Sequence, residues 1–310
     1  MKYEDILIFT DLDGSLLDHD NFEFQDIKDF ILRCLDKGIK IIPNSSKTKI
    51  EIELFFNQLG KELPYISENG AAVHNLDLLN ANLKLKDNSI ILSRSIKEIL
   101  EIFKTKVPLE FREKCDFIED MTKDKQMQTL GLNHKYLPFA LNRDYSLPLI
   151  FNGSKKLIRE FSLFLKSLGL KLHEGGRVFN ICDDCSKGFA MKSVVKKLRA
   201  ELKSNPYTIV VGDSPNDISM LKQSDQPCII PLPNKDNLID LEMKNKNIIN
   251  FPSVNHNTQF QGCHLIRNKS LNHYPDVFNI QDYWINSSIE GKLYGYELSL
   301  IHISEPTRPY

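Results

Sequence analysis

The sequence predicts an α/β fold: a parallel-sheet core domain interrupted by an inserted α+β unit. Three observations predict it. Over residues 6–66, short apolar runs alternate with amphipathic segments, the rhythm of strand–helix–strand–helix–strand. That rhythm lapses from about Leu76 and returns at Ser186. Three of the apolar runs end in polar clusters: Asp11/Asp13, Ser45/Lys47 and Asp213/Asp217. Ligands of open parallel sheets bind beyond the carboxyl ends of the strands, so these clusters can converge on one site.

The chain has 310 residues, 41% hydrophobic and 26% charged, with a formal net charge of −1. This suffices for one large domain or two smaller ones. The near-neutral balance gives no support for a nucleic-acid partner. The lysines of residues 192–199 have helical spacing and read as a solvated face. No apolar run approaches membrane-spanning length, so no membrane partner is expected. The cysteines at 34, 115, 182, 185, 228 and 263 lack the spacing of a disulfide framework. With no signal peptide read ahead of the first strand, reduced thiols and a cytoplasmic location are expected.

Taken in order, Ile6-Leu7-Ile8-Phe9 is a buried strand ending at Asp11-Leu12-Asp13-Gly14. Residues 22–36 carry apolar side chains at 24, 27, 30, 31, 34 and 35, an amphipathic helix that Gly38 terminates. Residues 39–43 (IKIIP) form a second strand, ending at Asn44-Ser45-Ser46-Lys47-Thr48. A helix follows over about 48–59, closed by Gly60. Pro64-Tyr65-Ile66 is a third strand, and Glu68-Asn69-Gly70 turns it into a hairpin with Ala71-Ala72-Val73. In the insert, residues 93–103 form a helix whose Ser95 and Glu98 fit a capping box. Short helices are expected within 116–130 and 133–142, a strand over 147–151 and a helix over 154–168. Strands over 169–173 and 177–182 flank Gly175-Gly176. The core resumes with a helix over 186–202 and a strand over 207–211 ending at Gly212-Asp213. Pro215 opens a helix through Met220 and Leu221, and residues 228–230 are a further strand. The expected boundaries are 1–83 and 186–255 for the core and 84–185 for the insert. An irregular tail spans 256–310. Its last residues, LIHISEPTRPY, look like a translated cloning or sequencing adapter and carry no functional argument.

Two carboxylates at a buried strand end repel each other and are costly to desolvate unless a cation joins them. Residues i and i+2 of a strand share a side, so Asp11 and Asp13 can face one site while Leu12 turns away. A calcium loop also begins D-x-D, but it needs Gly and Glu where this chain has Leu16 and Phe22. The pattern suggests a carboxylate nucleophile beside a carboxylate acid/base, with Mg²⁺ between them and the substrate.

DLDGS, a serine after the second strand, a lysine opening a helix and GDSPND follow one another in an order that resembles the haloacid dehalogenase superfamily. Within it the chain resembles the mannosyl-3-phosphoglycerate phosphatase family. The matching pieces are FTDLDGSLLD, PNSSKTKIEIE, SENGAAV, MTKDKQMQTLGL, ALNRDYSLPLIF, HEGGRVFNICDDCSKGFAM and VVGDSPNDISML. The resemblance implies a Rossmann-like core with an α+β cap and the roles that follow. Asp11 attacks phosphorus, and Asp13 protonates the leaving oxygen, then deprotonates water. Mg²⁺ is held by Asp11, the Asp13 carbonyl and Asp213, with Asp217 supporting the site. Ser45 and Lys187 hold the phosphoryl oxygens.

Other assignments stay open. Ser45, Ser46 or Thr48 can cap the helix after the second strand. Lys47 is either a surface residue or a second contact to phosphate or carboxylate, Lys187 also fits a solvated first-turn lysine, and Asp217 a first-turn dipole residue with no metal role. Selectivity is expected in the Glu68-Asn69-Gly70 loop and the insert, where Arg143, Gly175, Gly176 and Arg177 resemble substrate-facing positions. Arg143 also fits a surface ion pair, and the glycines a plain hairpin turn. His173 reads as structural, because aspartates already cover proton transfer. Cys182-x-x-Cys185 lacks a second Cys or His pair, which argues against metal or redox use. The chain departs from the resembling proteins at Ser186, where they carry Asp, and after about residue 250. The expected function is Mg²⁺-dependent hydrolysis of a mannosyl- or glucosyl-3-phosphoglycerate. Another sugar phosphate such as sucrose phosphate, a phosphomutase and a non-catalytic binder are the alternatives.

Overall fold

The apolar runs become a five-stranded parallel sheet ordered β12-β11-β10-β1-β2. Its strands are β1 (Ile6–Thr10), β2 (Lys40–Pro43), β10 (Tyr207–Gly212), β11 (Gln226–Ile229) and β12 (Ile249–Asn250). The computed structural model describes residues 3–18, 23–80, 83, 87–175, 177–202, 205–230 and 249–250. The tail expected over 256–310 and the adapter-like end lie outside the described residues.

Helices on both faces explain why β1 and β10 read as nearly continuous apolar runs. Ile6 of β1 and Ile209 and Val211 of β10 pack on one face against α1 (Gln25–Asp36) and α2 (Lys49–Leu59). Leu7, Phe9 and Val210 point to the other face. There they meet α8 (Lys187–Leu202) and α9 (Ile218–Leu221). Gly38 and Gly60 follow their helices at φ +90° and +80°, in the left-handed region where glycine carries no Cβ penalty. Thr48 caps α2 with a reciprocal Glu51 box, which settles the open choice among the hydroxyl residues there and leaves Ser45 free of capping.

One expectation is corrected. β3 (Tyr65–Ser67) is not a strand of the parallel sheet. It joins β4 (Ala72–His74) and β5 (Ile90–Ile91) in an antiparallel sheet. The reason is register: β3 reaches only the segment beyond β2, through one parallel bridge at Asn44 and Ile66, and Ser45 N–H donates to Ile66 C=O at 3.0 Å. The Asn-Gly hairpin forms, with Glu68, Asn69 and Gly70 all at positive φ.

Between β5 and α8 lies the antiparallel unit, a four-stranded sheet ordered β6-β7-β9-β8. It comprises α3 (Ile96–Lys106), α4 (Leu109–Arg112), β6 (Cys115–Phe117), α5 (Lys123–Leu130), α6 (Leu137–Leu141), β7 (Ser146–Phe151), α7 (Lys155–Ser167), β8 (Leu170–Glu174) and β9 (Phe179–Asp183). α3 starts at the predicted Ser95/Glu98 capping box. β6 and α4 gave no sequence signal, being only three and four residues long. Leu147, Leu149 and Phe151 of β7 and Ile181 of β9 pack with Phe103 of α3 and Phe161 of α7. The opposite face carries Ser146, opposite Cys182, and Asn180, opposite His173. Burial, then Lys171, push the His173 imidazole down to about 4, against an opposing hydrogen bond to the Cys185 backbone, so it stays neutral.

Candidate active site

The carboxyl ends of β1 and β10 lie side by side, because the two strands pair in parallel and Asp11 N–H still donates to Val211 C=O at 3.0 Å. β1 itself stops at Thr10, so Asp11 and Asp13 are not arranged by strand alternation. A tight turn does it: Gly14 N–H donates to Leu17 C=O at 2.9 Å, and Leu17 N–H to Leu12 C=O at 2.7 Å. Leu12 turns into the core while Asp11 and Asp13 turn toward the strand ends. Gly14 sits at φ +77°, and a Cβ there would meet Asp213 Oδ2 at 2.7 Å. The glycine is therefore required twice, by conformation and by space.

Lys187 opens α8 and is fully buried. Its Nζ lies 2.8 Å from Asp11 Oδ1 and 2.7 Å from Asp217 Oδ1. Burial alone would push the ammonium down, but the charges of Asp11 and Asp217 outweigh it and hold Lys187 above its ordinary value. Asp217 is saturated. Its Oδ2 accepts the amide hydrogens of Asp213 and Ser214, each at 3.1 Å, while Oδ1 takes Lys187. Asp213 keeps more freedom, with Ser15 Oγ donating to Oδ1 at 3.2 Å. Burial, then the charges of Asp11 and Asp217, push the Asp213 carboxyl well up.

Carboxylate oxygens of Asp11, Asp213 and Asp217 lie within 4.8 Å of one another. Three buried carboxylates against one ammonium form an oxygen-donor set with an excess of negative charge, which fits a hard divalent cation. The Asp13 carboxylate is not in this set, so Asp13 belongs to a metal site only through the backbone carbonyl that the resemblance implies. Its side chain turns outward to Lys47, whose Nζ is 3.0 Å from Oδ2. Asp13 Oδ1 is buried and has no hydrogen-bond partner among the described residues. Lys47 also approaches Glu51. Burial pulls its ammonium down, and the charges of Asp13 and Glu51 more than reverse that. Ser45 is fully buried at the end of β2, its Oγ accepting the Lys47 amide hydrogen at 3.2 Å.

The expected substrate contacts divide. Arg143 stands beside the site: its Nη1 donates to Ser46 C=O at 3.4 Å and to Ser146 Oγ at 3.0 Å. Glu68 is engaged within the chain: its Oε1 accepts from Asp144 N–H, and its Oε2 from Tyr145 N–H and Ser146 Oγ. Asn69 is tied to the site twice: its N–H donates to Ser45 C=O at 2.9 Å, and Asn216 Nδ2 donates to its Oδ1 at 3.1 Å. Gly70 packs on the backbone that enters α8, where a Cβ would stand 2.2 Å from Ser186 C=O, so its role is close approach. Arg177 donates to Leu130 C=O at the end of α5. Gly176 lies outside the described residues. Ser15 and Asn216 were missed, since hydroxyl and amide residues one or two positions from a motif carry no periodic signal.

The profile of haloacid dehalogenase-like hydrolases matches residues 8–230, spanning both strand ends and the antiparallel unit. The chain belongs to this family. A glucosyl-3-phosphoglycerate/mannosyl-3-phosphoglycerate phosphatase from Persephonella marina is 34% identical over 236 residues, 74% of this chain and 86% of that protein. A protein of the same description from Methanococcoides burtonii is 29% identical over 233 residues, 73% of this chain and 85% of that one. The hydrolase fold recurs in a haloacid dehalogenase-like hydrolase from Bacillus subtilis, with TM-score 0.54, 19% identity and coverage of 78% of this chain and 93% of that one. It recurs again in a subclass IIB sugar phosphatase of the superfamily, with TM-score 0.54, 16% identity and coverage of 89% and 99%. No helix among the described residues of this hydrolase is long and apolar enough to cross a membrane.

Proposed function

We propose that this hydrolase releases phosphate from mannosyl-3-phosphoglycerate or glucosyl-3-phosphoglycerate through an aspartyl-phosphate on Asp11. Family membership and phosphatase relatives over most of the chain make it a phosphoric monoester hydrolase. The substrate reading rests on the relative that is 34% identical across core and antiparallel unit alike. The residue roles rest on one observation: a fully buried Lys187 bridges Asp11 and Asp217 beside Asp213.

In this reading Asp11 attacks phosphorus and the bond to the glycerate oxygen breaks. Asp13 donates its proton to that oxygen, with Lys47 fixing the carboxyl by its other oxygen. A water then attacks the phosphoryl group and gives its proton to Asp13, releasing inorganic phosphate and restoring Asp11. Lys187 and Ser45 hold phosphoryl oxygens as charge shifts among them. Asp11, Asp213 and the Asp13 carbonyl would hold Mg²⁺, whose charge offsets the repulsion between phosphate and carboxylate. Asp217 orients Lys187 and the Asp213 backbone and needs no direct place at the metal. Residues 84–185 act as the cap that selects the substrate, and Arg143 meets its carboxylate. The setting is the cytoplasm, where free thiols such as Cys34 and Cys228 persist.

The test offers purified protein and Mg²⁺ each glycosyl-3-phosphoglycerate, sucrose phosphate and hexose phosphates, with phosphate release measured. Release from a glycosyl-3-phosphoglycerate well ahead of the others is expected. Preference for sucrose phosphate would move the substrate, and interconversion of hexose phosphates without release would make the protein a mutase.

A further inference from the structure

Glu68 is a carboxylate without an assigned task. It is 2% exposed, at φ +46°, in the hairpin loop between β3 and β4. A buried carboxylate and a left-handed non-glycine backbone each cost stability unless their surroundings over-determine them. The surroundings here come from the antiparallel unit. Asp144 N–H donates to Oε1 at 2.8 Å, Tyr145 N–H to Oε2 at 3.2 Å and Ser146 Oγ to Oε2 at 2.5 Å. Arg143 Nη1 is 4.0 Å from Oε2, a longer ionic contact. Burial pushes the carboxyl up, and Arg143 first, then Ser146, pull it back.

The same short segment touches the core again. Thr48 Oγ1 donates to Phe139 C=O at 2.9 Å. Arg143 Nη1 reaches Ser46 C=O, one residue from buried Ser45, and its Nε donates to Ala140 C=O at 3.1 Å. Residues 139–146 are thus pinned at Thr48 on one side and Glu68 on the other, with Arg143 between them beside the end of β2. Of the Thr48 and Glu68 anchors only Glu68 is charged, and charge-assisted hydrogen bonds are about twice as strong as neutral ones.

We infer that Glu68 is a positioning residue: by accepting the hydrogens of Asp144, Tyr145 and Ser146 it holds Arg143 where the guanidinium meets the second anionic group of a phosphorylated substrate. This deepens the proposed function and rests on its reading of Arg143. Glu68 itself touches no substrate. Its loss therefore weakens substrate binding more than the chemical step, and only for substrates that carry a second anion.

The test compares wild type with Glu68→Gln, which turns one acceptor oxygen into a donor facing donors. With glucosyl-3-phosphoglycerate, KM rises about tenfold while kcat changes little. With p-nitrophenyl phosphate, which has no second anion, kcat/KM is unchanged. Arg143→Ala raises the same KM, and the double variant is no worse than the single ones. Amide exchange at residues 144 and 145 is faster in Glu68→Gln than in wild type. Ser146→Ala, which keeps both amide donors, gives the same split at smaller size and serves if Glu68→Gln does not fold. Equal loss with both substrates, multiplying losses in the double variant, or unchanged amide exchange would overturn the inference. The exchange measurement needs no substrate. A wild type inactive on glycosyl-3-phosphoglycerates would therefore sink the proposed substrate and leave exchange to decide the anchor.

Discussion

The parallel core and the antiparallel unit treat burial in opposite ways. At the carboxyl ends of β1 and β10 the core buries Asp11, Lys187, Asp213 and Asp217 together. The helix-covered face of the four-stranded sheet buries Leu147, Leu149, Phe161 and Ile181, with no charge among them. Buried charges are retained at a cost in stability, whereas buried hydrocarbon stabilises directly. The core is therefore electrostatically strained at these strand ends. The antiparallel unit contributes an apolar platform, and its residues 139–146 reach Ser46, Thr48 and Glu68 of the core. Removing a negative core charge should lower activity and spare stability, removing the core cation should lower both, and removing apolar volume from the platform should lower stability and spare activity.

The largest effect is expected at Asp11. Asp11→Asn should lower kcat by at least ~10⁴-fold, since the nucleophile of a concerted site is not replaced by its neighbours. Its melting temperature should hardly fall, because one like charge beside Asp213 is gone. Phosphate release and thermal melting measured on one preparation check both halves, and residual wild-type activity would end the nucleophile assignment.

Lys187→Met leaves Asp11 and Asp217 without their shared cation. Breaking a buried pair from one side costs about 3–5 kcal/mol, so the denaturant midpoint should drop along with activity. A variant that stays as stable as wild type would show that the pair is not desolvated as described.

Ile181→Ala removes fully buried volume from the platform and should cost about 2–5 kcal/mol in denaturant unfolding. The folded variant should keep its kcat on p-nitrophenyl phosphate. A collapse of kcat in the folded state would mean that the platform reaches into the chemistry.

The smallest effect is set by pH. His173 is held near 4 by burial and by Lys171, against an ordinary 6.5. A depressed imidazole stays neutral in the folded chain but charges in the unfolded one. Its contribution is therefore complete above pH 6.5 and is lost as the pH falls toward 4. At pH 5 the loss is ~2 kcal/mol, and His173→Asn should flatten the fall of the denaturant midpoint between pH 7 and 5. An unchanged slope would show that other groups dominate acid unfolding.

What was legible in the chain was whatever short-range chemistry determines. The apolar runs before Asp11 and Asp213, the glycine stops after α1 and α2, and the Ser95/Glu98 box fixed most elements. The buried aspartates and Lys187 were readable because the motifs that carry them stand at strand ends and a helix start. What stayed hidden depended on partners distant in sequence. β3 left the parallel sheet because its hydrogen bonds fall beyond the end of β2. Asp217 is saturated by Lys187, 30 residues earlier. Glu68 and Arg177 looked like ligand contacts, yet one is consumed 76 residues on by Asp144 N–H and the other meets Leu130. A carboxylate or guanidinium has the same local signature whether it faces a ligand or another part of the chain. The sequence alone therefore determined which chemical groups the protein has and on which elements they stand. Only the tertiary structure decided which of them are already paired, because pairing depends on the desolvated distances that packing creates.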